Sequence, residues 1–241
     1  MSLPRFHLPA VHWNGPQLTL ADDEAQHCAR VMRKQPGDRI EIFDGAGRVA
    51  VCEITHVSKS QVQARIESES RVEPFAVSIH LLPALIKNEP FEWMLEKAVE
   101  LGASSIQPVI TARSVVQLDG AQAEKKLAKW RRHMIESAKQ CHTPFVPELR
   151  APASFAACVA VEAGLKLIPA LSEKTRTLKE VLATARPTSV AVLIGPEGDF
   201  TAEEETQAQN AGFQPITLGP LILRAETAAI ATLAILGHEL R

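Results

Sequence analysis

Two glycine-containing turns carry the most chemical information in this sequence. The first is Ile194-Gly195-Pro196-Glu197-Gly198-Asp199-Phe200-Thr201. It leaves the apolar run Val190 to Ile194 and enters a segment that Thr201 and Glu204, at capping-box spacing, mark as the start of a helix. Glycine at 195 and 198 lets the backbone turn sharply and approach a ligand with no Cβ in the way. Ligands of open α/β sheets bind at the carboxyl ends of strands, and this turn stands in that place. Alone, it fits an ordinary strand–helix connection equally well. The second segment, Leu218-Gly219-Pro220-Leu221-Ile222-Leu223-Arg224-Ala225-Glu226-Thr227-Ala228, also leaves a strand and enters a helix. Apolar walls with a few placed polar groups describe a small-molecule pocket. Backbone groups of such a loop can meet an adenine edge while Leu221, Ile222 and Leu223 pack around the ring. The competing reading is a buried connection in which Arg224 and Glu226 form a surface ion pair of little value. Neither segment resembles a phosphate cradle, since GxGxxG and GxxxxGK[ST] are both absent. That argues against a dinucleotide or ATP and for a phosphate-free cofactor, a requirement that S-adenosylmethionine meets.

The elements that must position these turns follow from periodicity. Before residue 72 short alternating runs prevail: Arg39 to Phe43, an Asp44-Gly45 turn, Val49 to Thr55, and Gln61 to Ile66. These predict a small β-barrel. Between Leu18 and Lys34 the pattern predicts one helix, with Asp22 or Asp23 near its start and Pro36-Gly37 as its stop. Glu67 to Pro74 reads as a linker. From residue 75 strands and helices alternate. Strands are predicted at Val77–Ile86, Ile106–Ile110, Leu165–Pro169, Val190–Ile194 and Pro215–Leu218. Helices are predicted around Phe91–Ala98, Ala123–Cys141, Thr177–Ala185 and Ala225–Leu240, with Gly102 as a C-terminal cap. Such alternation predicts an α/β domain with a mostly parallel sheet covered on both faces. The expected division is 1–72 and 73–241.

Composition excludes several classes. Of 241 residues, 46 % are hydrophobic, enough for a sizeable core. The formal net charge is −2, so any affinity for nucleic acid must come from a local basic patch. Cys28, Cys52, Cys141 and Cys158 form no CxxC pair and no zinc-ligand spacing, which reads as free thiols in a reducing compartment and no metal. Neither a signal peptide nor a membrane-spanning run is visible, so the expected location is the cytoplasm.

In order along the chain, several segments resemble the RsmE family of SPOUT-class enzymes, which methylate N3 of a uridine in 16S ribosomal RNA of the small subunit. They are Leu82 to Val116, with Lys97-Ala98-Val99-Glu100-Leu101-Gly102 and Pro108 to Val115 inside it, the Trp130 helix, and the two glycine-containing turns. Arg5-Phe6 and His27 to Phe43 resemble that family's PUA-like RNA-binding domain. Two positions depart from the pattern: Asp199, where glycine is more frequent, and His142-Thr143, in a stretch where the family often carries glycine and arginine. The resemblance implies a SPOUT domain with a deep trefoil knot behind a PUA-like barrel, and a homodimer with its active site at the subunit interface. It implies S-adenosylmethionine contacts at Leu171, Ile194, Gly195, Pro196, Glu197, Gly198, Leu218, Gly219, Leu221, Ile222 and Leu223. Small alanines in the last helix (Ala228, Ala229, Ala231, Ala234) suit close helix packing, in a dimer or in an ordinary core.

A methyl acceptor at uracil N3 must first lose its proton, and the resulting charge needs a fixed cation. Arg224 is the expected cation, and Glu197 or Glu226 the group that takes the proton or orients Arg224. His27, Arg30 and Lys34, at i, i+3 and i+7 on the predicted helix, with Arg33 and Arg5, are the expected RNA-binding patch. Lys125, Lys126, Lys129 and Arg132 on the long helix are a second candidate, or simply its wet face. Two other functions share these features: a non-catalytic RNA-binding protein, which would need no open cofactor pocket, and a SPOUT methyltransferase acting on another RNA.

Overall fold

The computed structural model of the protein describes residues 3–58, 60–114, 120–170 and 175–241. The chain divides into two compact units: Met1–Pro74 with Ala138–Val146, and Phe75–Ser137 with Pro147–Arg241.

The first unit is a five-stranded sheet with strands β1 (Arg5–His7), β2 (Gln17–Ala21), β3 (Arg39–Phe43), β4 (Arg48–Val57) and β5 (Gln61–Arg71), in the order β1-β3-β4-β5-β2. Alternation drives it. Leu18, Leu20, Ile40, Ile42, Ala50, Cys52, Ile54, Val62 and Ala64 all point into one core, while their neighbours other than the buried Phe43 are exposed or half-buried. The β3–β4 turn is fixed by Asp44, whose Oδ1 accepts from the amides of Ala46 (2.7 Å) and Arg48 (3.0 Å). Strand β2 is not among the expected elements: Leu18 and Leu20 alternate and pair with β5, and the helix begins at Asp22, one of the two expected starts. The expected linker is strand as far as Arg71, paired along β4.

Helix α1 (Asp22–Gln26) continues as a π-helical turn, His27–Val31. It opens on a left-handed Asp22 (φ 48°) and three acidic residues suited to a helix N-terminus. It ends where Arg33 takes φ 52° and the Lys34 amide donates back to Cys28 O (3.1 Å).

In the second unit the strands are β6 (Ser78–Pro83), β7 (Ser105–Ile106), β8 (Val109–Ile110), β9 (Glu148–Leu149), β10 (Ala153–Ser154), β11 (Leu165–Pro169), β12 (Arg176–Thr177), β13 (Ser189–Ile194) and β14 (Gln214–Thr217). Seven form an all-parallel sheet, β12-β14-β11-β13-β6-β7-β9, and β8 pairs with β10 apart from it. The single strand expected at Ile106–Ile110 is therefore two. Pro108 has no N–H to continue the ladder, and the chain changes sheets across it. The helices are α2 (Asn88–Glu100), α3 (Gly120–Cys141), α4 (Phe155–Val159), α5 (Leu178–Thr184), α6 (Ala202–Asn210) and α7 (Ala225–Leu240). β13 lies between β11 and β6, and Val190 to Ile194 are all buried, which is why this strand reads as an unbroken apolar run. Phe91 of α2 packs on Trp130 of α3 with ring centroids 4.7 Å apart. α7 packs on α2 and on β6 and β13.

Candidate functional site

β14, β11 and β13 are neighbours, and the chain leaving their carboxyl ends encloses a cavity of about 260 Å³. Pro169 ends β11 and Ala170 follows it. Ile194 ends β13, and Gly195, Pro196, Glu197 and Asp199 come from the loop after it. Thr217 ends β14, Leu218, Gly219, Leu221, Ile222, Leu223 and Arg224 follow it, and Ala225 and Ala228 come from the first turns of α7. Both glycine-containing turns thus face one space. Among the described residues its charged members are two carboxylates, Glu197 and Asp199, and one arginine, Arg224.

Each loop is folded by its own residues. After β13 the Asp199 amide donates to Pro196 O (2.9 Å), closing a turn, and the Phe200 amide donates to Asp199 Oδ1 (2.8 Å). Asp199 has φ 60°. Glycine adopts that left-handed conformation freely and aspartate tolerates it, so the departure at 199 has a backbone reason. His142 is in the same situation, at φ 61° just past α3. A Cβ on Gly195 would come within 3.2 Å of the Phe200 ring and of Asp199 Oδ1, so the loop fits closely around a residue without a side chain. Thr201 and Glu204 complete the expected capping box of α6: the Glu204 amide donates to Thr201 Oγ1 (3.2 Å), and the Thr201 amide to Glu204 Oε2 (3.0 Å). After β14 the loop turns on Gly219 (φ 124°), whose amide donates to Thr217 Oγ1 (3.2 Å).

Nine of the eleven expected cofactor residues line the cavity. Gly198 does not: it lies beside the aliphatic stem of Arg113, whose Cδ would be 3.5 Å from an added Cβ. Leu171 lies outside the described residues. Of the expected catalytic residues, Arg224 and Glu197 are exposed and line the cavity, whereas Glu226 is buried (8 % exposed) in the first turn of α7 and does not. Among the described residues no carboxylate pairs with Arg224, which removes the ion pair with Glu226. Pro169, Ala170, Thr217, Asp199, Ala225 and Ala228 also line the cavity. Their signal in the sequence was position at a strand's carboxyl end or a helix's first turn.

The expected basic patch is only partly assembled. Arg30 and Arg33 are exposed, and His27 and Lys34 are half-buried. The i, i+3, i+7 alignment fails because the π-turn changes the angular step and Arg33 ends the helix, so Lys34 is no longer on it. Arg5 is 7 % exposed, with Nε 2.9 Å from Glu41 Oε1 and its guanidinium 4.4 Å from the Phe43 ring centroid; it is part of the barrel's packing and not of the exposed patch. Burial holds its pKa below the usual arginine value, and Glu41 opposes that shift. His27 lies edge-on to Phe6, and its Nδ1 is 3.4 Å from Lys139 Nζ. Burial raises the thiols of Cys28 and Cys158 to about 11 and that of Cys52 to about 12, so these three are unreactive packing groups. Among the described residues no cluster of three His, Cys, Asp or Glu side chains could hold a metal ion, and no helix is long and apolar enough to cross a membrane.

Comparison with known proteins agrees with this architecture. Residues 73–237 match the RNA methyltransferase domain family, and residues 20–67 match the RNA methyltransferase PUA domain family. The chain is 30 % identical over 237 residues to the ribosomal RNA small subunit methyltransferase E of Mycobacterium bovis, covering 96 % of this chain and 90 % of that one. It is 30 % identical to the Bacillus subtilis protein of the same name, covering 93 % and 91 %. Among solved structures, a Legionella pneumophila protein in complex with S-adenosylmethionine is 34 % identical and superposes with a TM-score of 0.91 over 99 % of this chain and 98 % of that one. A Neisseria gonorrhoeae ribosomal RNA small subunit methyltransferase E bound to S-adenosylmethionine is 31 % identical, with a TM-score of 0.89 over the same shares. With its parallel α/β domain, its PUA-like sheet and a cavity at the strand ends, the chain belongs to the RNA methyltransferase family, among the ribosomal RNA small subunit methyltransferase E enzymes.

Proposed function

We propose that the protein transfers a methyl group from S-adenosylmethionine to N3 of a specific uridine in 16S ribosomal RNA of the small ribosomal subunit, as a homodimer in the cytoplasm. The observation that carries this reading is the cavity. Its walls are apolar side chains and backbone groups, and among the described residues its charged members are two carboxylates and one arginine. A polyphosphate would be repelled by Glu197 and Asp199. A cofactor with a sulfonium cation and an adenine ring suits the same surroundings, and the Legionella and Neisseria relatives hold that cofactor.

When bound, the cofactor supplies an electrophilic methyl group on sulfur. Arg224, at the N-cap of α7, presents a planar fork and the positive end of a helix to the uracil edge, where negative charge develops as the N3 proton leaves. Glu197 lines the same cavity and accepts that proton. Glu226 has a supporting part: a carboxylate in the first turn stabilises α7 and so the position of Arg224. Residues 1–72 contact RNA through Arg30 and Arg33, while residues 73–241 hold the cofactor and dimerise. Exposure of Leu221 (74 %) and Ile222 (80 %) beside the cavity supports a partner subunit that covers them. The reading includes the deep trefoil knot that the resemblance to SPOUT enzymes implies.

Purified protein incubated with small ribosomal subunits and methyl-labelled S-adenosylmethionine should place label in N3-methyluridine, and Arg224→Ala should not. A folded wild type that binds RNA but releases no heat with S-adenosylmethionine would instead be a non-catalytic RNA-binding protein. Label in a different base or a different RNA would correct the substrate. Charge reversal at Arg30 and Arg33 together should weaken RNA binding and reduce its salt dependence by about two phosphate contacts; unchanged binding removes the patch.

A further inference from the structure

Outside the cavity, two side chains grip the loop that forms its β13 wall. Arg113 follows β8, and its Nη1 donates to the carbonyl oxygens of Gly198 and of Phe200 (3.2 Å). Glu204 in α6 is 8 % exposed. Its Oε1 accepts from the Ala112 amide (2.8 Å), while Oε2 accepts from the Thr201 amide (3.0 Å). The turn that carries Arg113 is itself closed: the Thr111 amide donates to Ser114 Oγ (3.0 Å), and the Ser114 amide to Thr111 O (3.1 Å). One arm of the clamp therefore runs from a braced turn to the loop carbonyls. The other runs from the helix below the loop back to the same turn. The loop residues between the two anchors are Gly198 to Thr201, and residues 195 to 197 and 199 face the cavity.

We infer that Arg113, carried on a turn that Glu204 anchors through the Ala112 amide, is a positioning residue that holds the Gly195–Phe200 loop in its cofactor-binding form. It does not line the cavity, so it acts through the loop. The physical argument is one of populations. Gly195 and Gly198 leave the loop free to adopt other conformations. A site that is competent only a fraction of the time binds with affinity reduced by that fraction. Two hydrogen bonds from a charged donor to loop carbonyls raise the competent fraction before any ligand arrives. Once the cofactor is bound at saturation, the loop is ordered in either case. The effect therefore falls on the Kd and KM for S-adenosylmethionine and largely spares kcat.

The inference rests on the proposed cofactor, and its test separates the two. Wild type, Arg113→Ala and Arg113→Lys are compared by calorimetry with S-adenosylmethionine, by steady-state methylation, by RNA binding without cofactor, and by amide hydrogen exchange. Arg113→Ala is expected to weaken S-adenosylmethionine binding roughly fivefold to tenfold and raise its KM alike, with kcat within about twofold. Arg113→Lys, which keeps the charge but lacks the fork, should fall between. Exchange at the Asp199 amide should quicken in Arg113→Ala while α7 is unchanged, and RNA affinity should not move. Equal S-adenosylmethionine affinity in wild type and Arg113→Ala would overturn the inference. So would a rise in the KM for RNA alone, which would make Arg113 a substrate contact. If wild type itself does not bind S-adenosylmethionine, the proposed cofactor fails, and the exchange comparison still decides whether Arg113 holds the loop.

Discussion

The two loops that wall the cavity differ in how they are held. After β13 the backbone closes on itself at Pro196 and Asp199, Phe200 is 4 % exposed and packs edge-on against Phe155 (5.5 Å between centroids), and Arg113 and Glu204 brace it from outside. After β14 the anchors are the bonds between Thr217 and Gly219. Beyond them Leu221 and Ile222 are exposed, and Arg224 caps α7 without a side-chain bond to its first turn. One wall is complete within the chain and the other is unfinished. Exposed apolar surface is costly to leave in water, and the proposed second copy of the chain would cover the unfinished wall. Arg224 stands on that side; in the proposed dimer its surroundings would become drier and its charge more effective.

Four variants test this contrast, in order of expected effect. Arg224→Ala should lower methyl transfer by about 100-fold or more, the usual loss when a donor to developing charge is removed, while S-adenosylmethionine affinity by calorimetry stays within a few-fold. Comparable losses in rate and cofactor affinity would make Arg224 a binding residue. Leu221→Glu with Ile222→Glu should leave the fold intact by circular dichroism, convert a dimer to a monomer by sedimentation, and abolish activity with it. A monomeric wild type would show that the open wall is not a dimer face. Glu204→Ala removes the capping box and the bond to Ala112, and should cost roughly 2–3 kcal/mol in denaturant unfolding; a loss below about 0.5 kcal/mol would mean the braced wall owes little to it. Asp199→Gly relieves the left-handed backbone but gives up the bond to the Phe200 amide. The opposing terms should leave stability and S-adenosylmethionine affinity within about 1 kcal/mol of wild type. A larger change in either would show that one term dominates.

Legibility in the sequence followed the same contrast. The β13 strand, its glycine turn and the Thr201–Glu204 capping box were readable because burial on both faces and local capping leave local signatures. The β14 loop was readable as apolar, yet nothing in Leu221 and Ile222 distinguished a buried loop from an exposed one. Only their exposure in the folded chain decides that. Arg113 could not be found from spacing, since its partners lie 85 and 87 residues away. In the barrel, Leu18 and Leu20 fit a strand and a helix equally over so short a run, and pairing with β5 settled the matter. The π-turn after Gln26 and the left-handed Arg33 removed Lys34 from the helix, and no periodicity announces either. Asp199 and His142, the positions expected to differ from the family's pattern, both have a positive φ.

The most direct test of the account is mass spectrometry of 16S ribosomal RNA from cells with the gene intact, deleted, and restored as wild type or Arg224→Ala. The account predicts one N3-methyluridine that disappears on deletion, returns with wild type, and stays absent with Arg224→Ala. An unchanged N3-methyluridine content after deletion would contradict it.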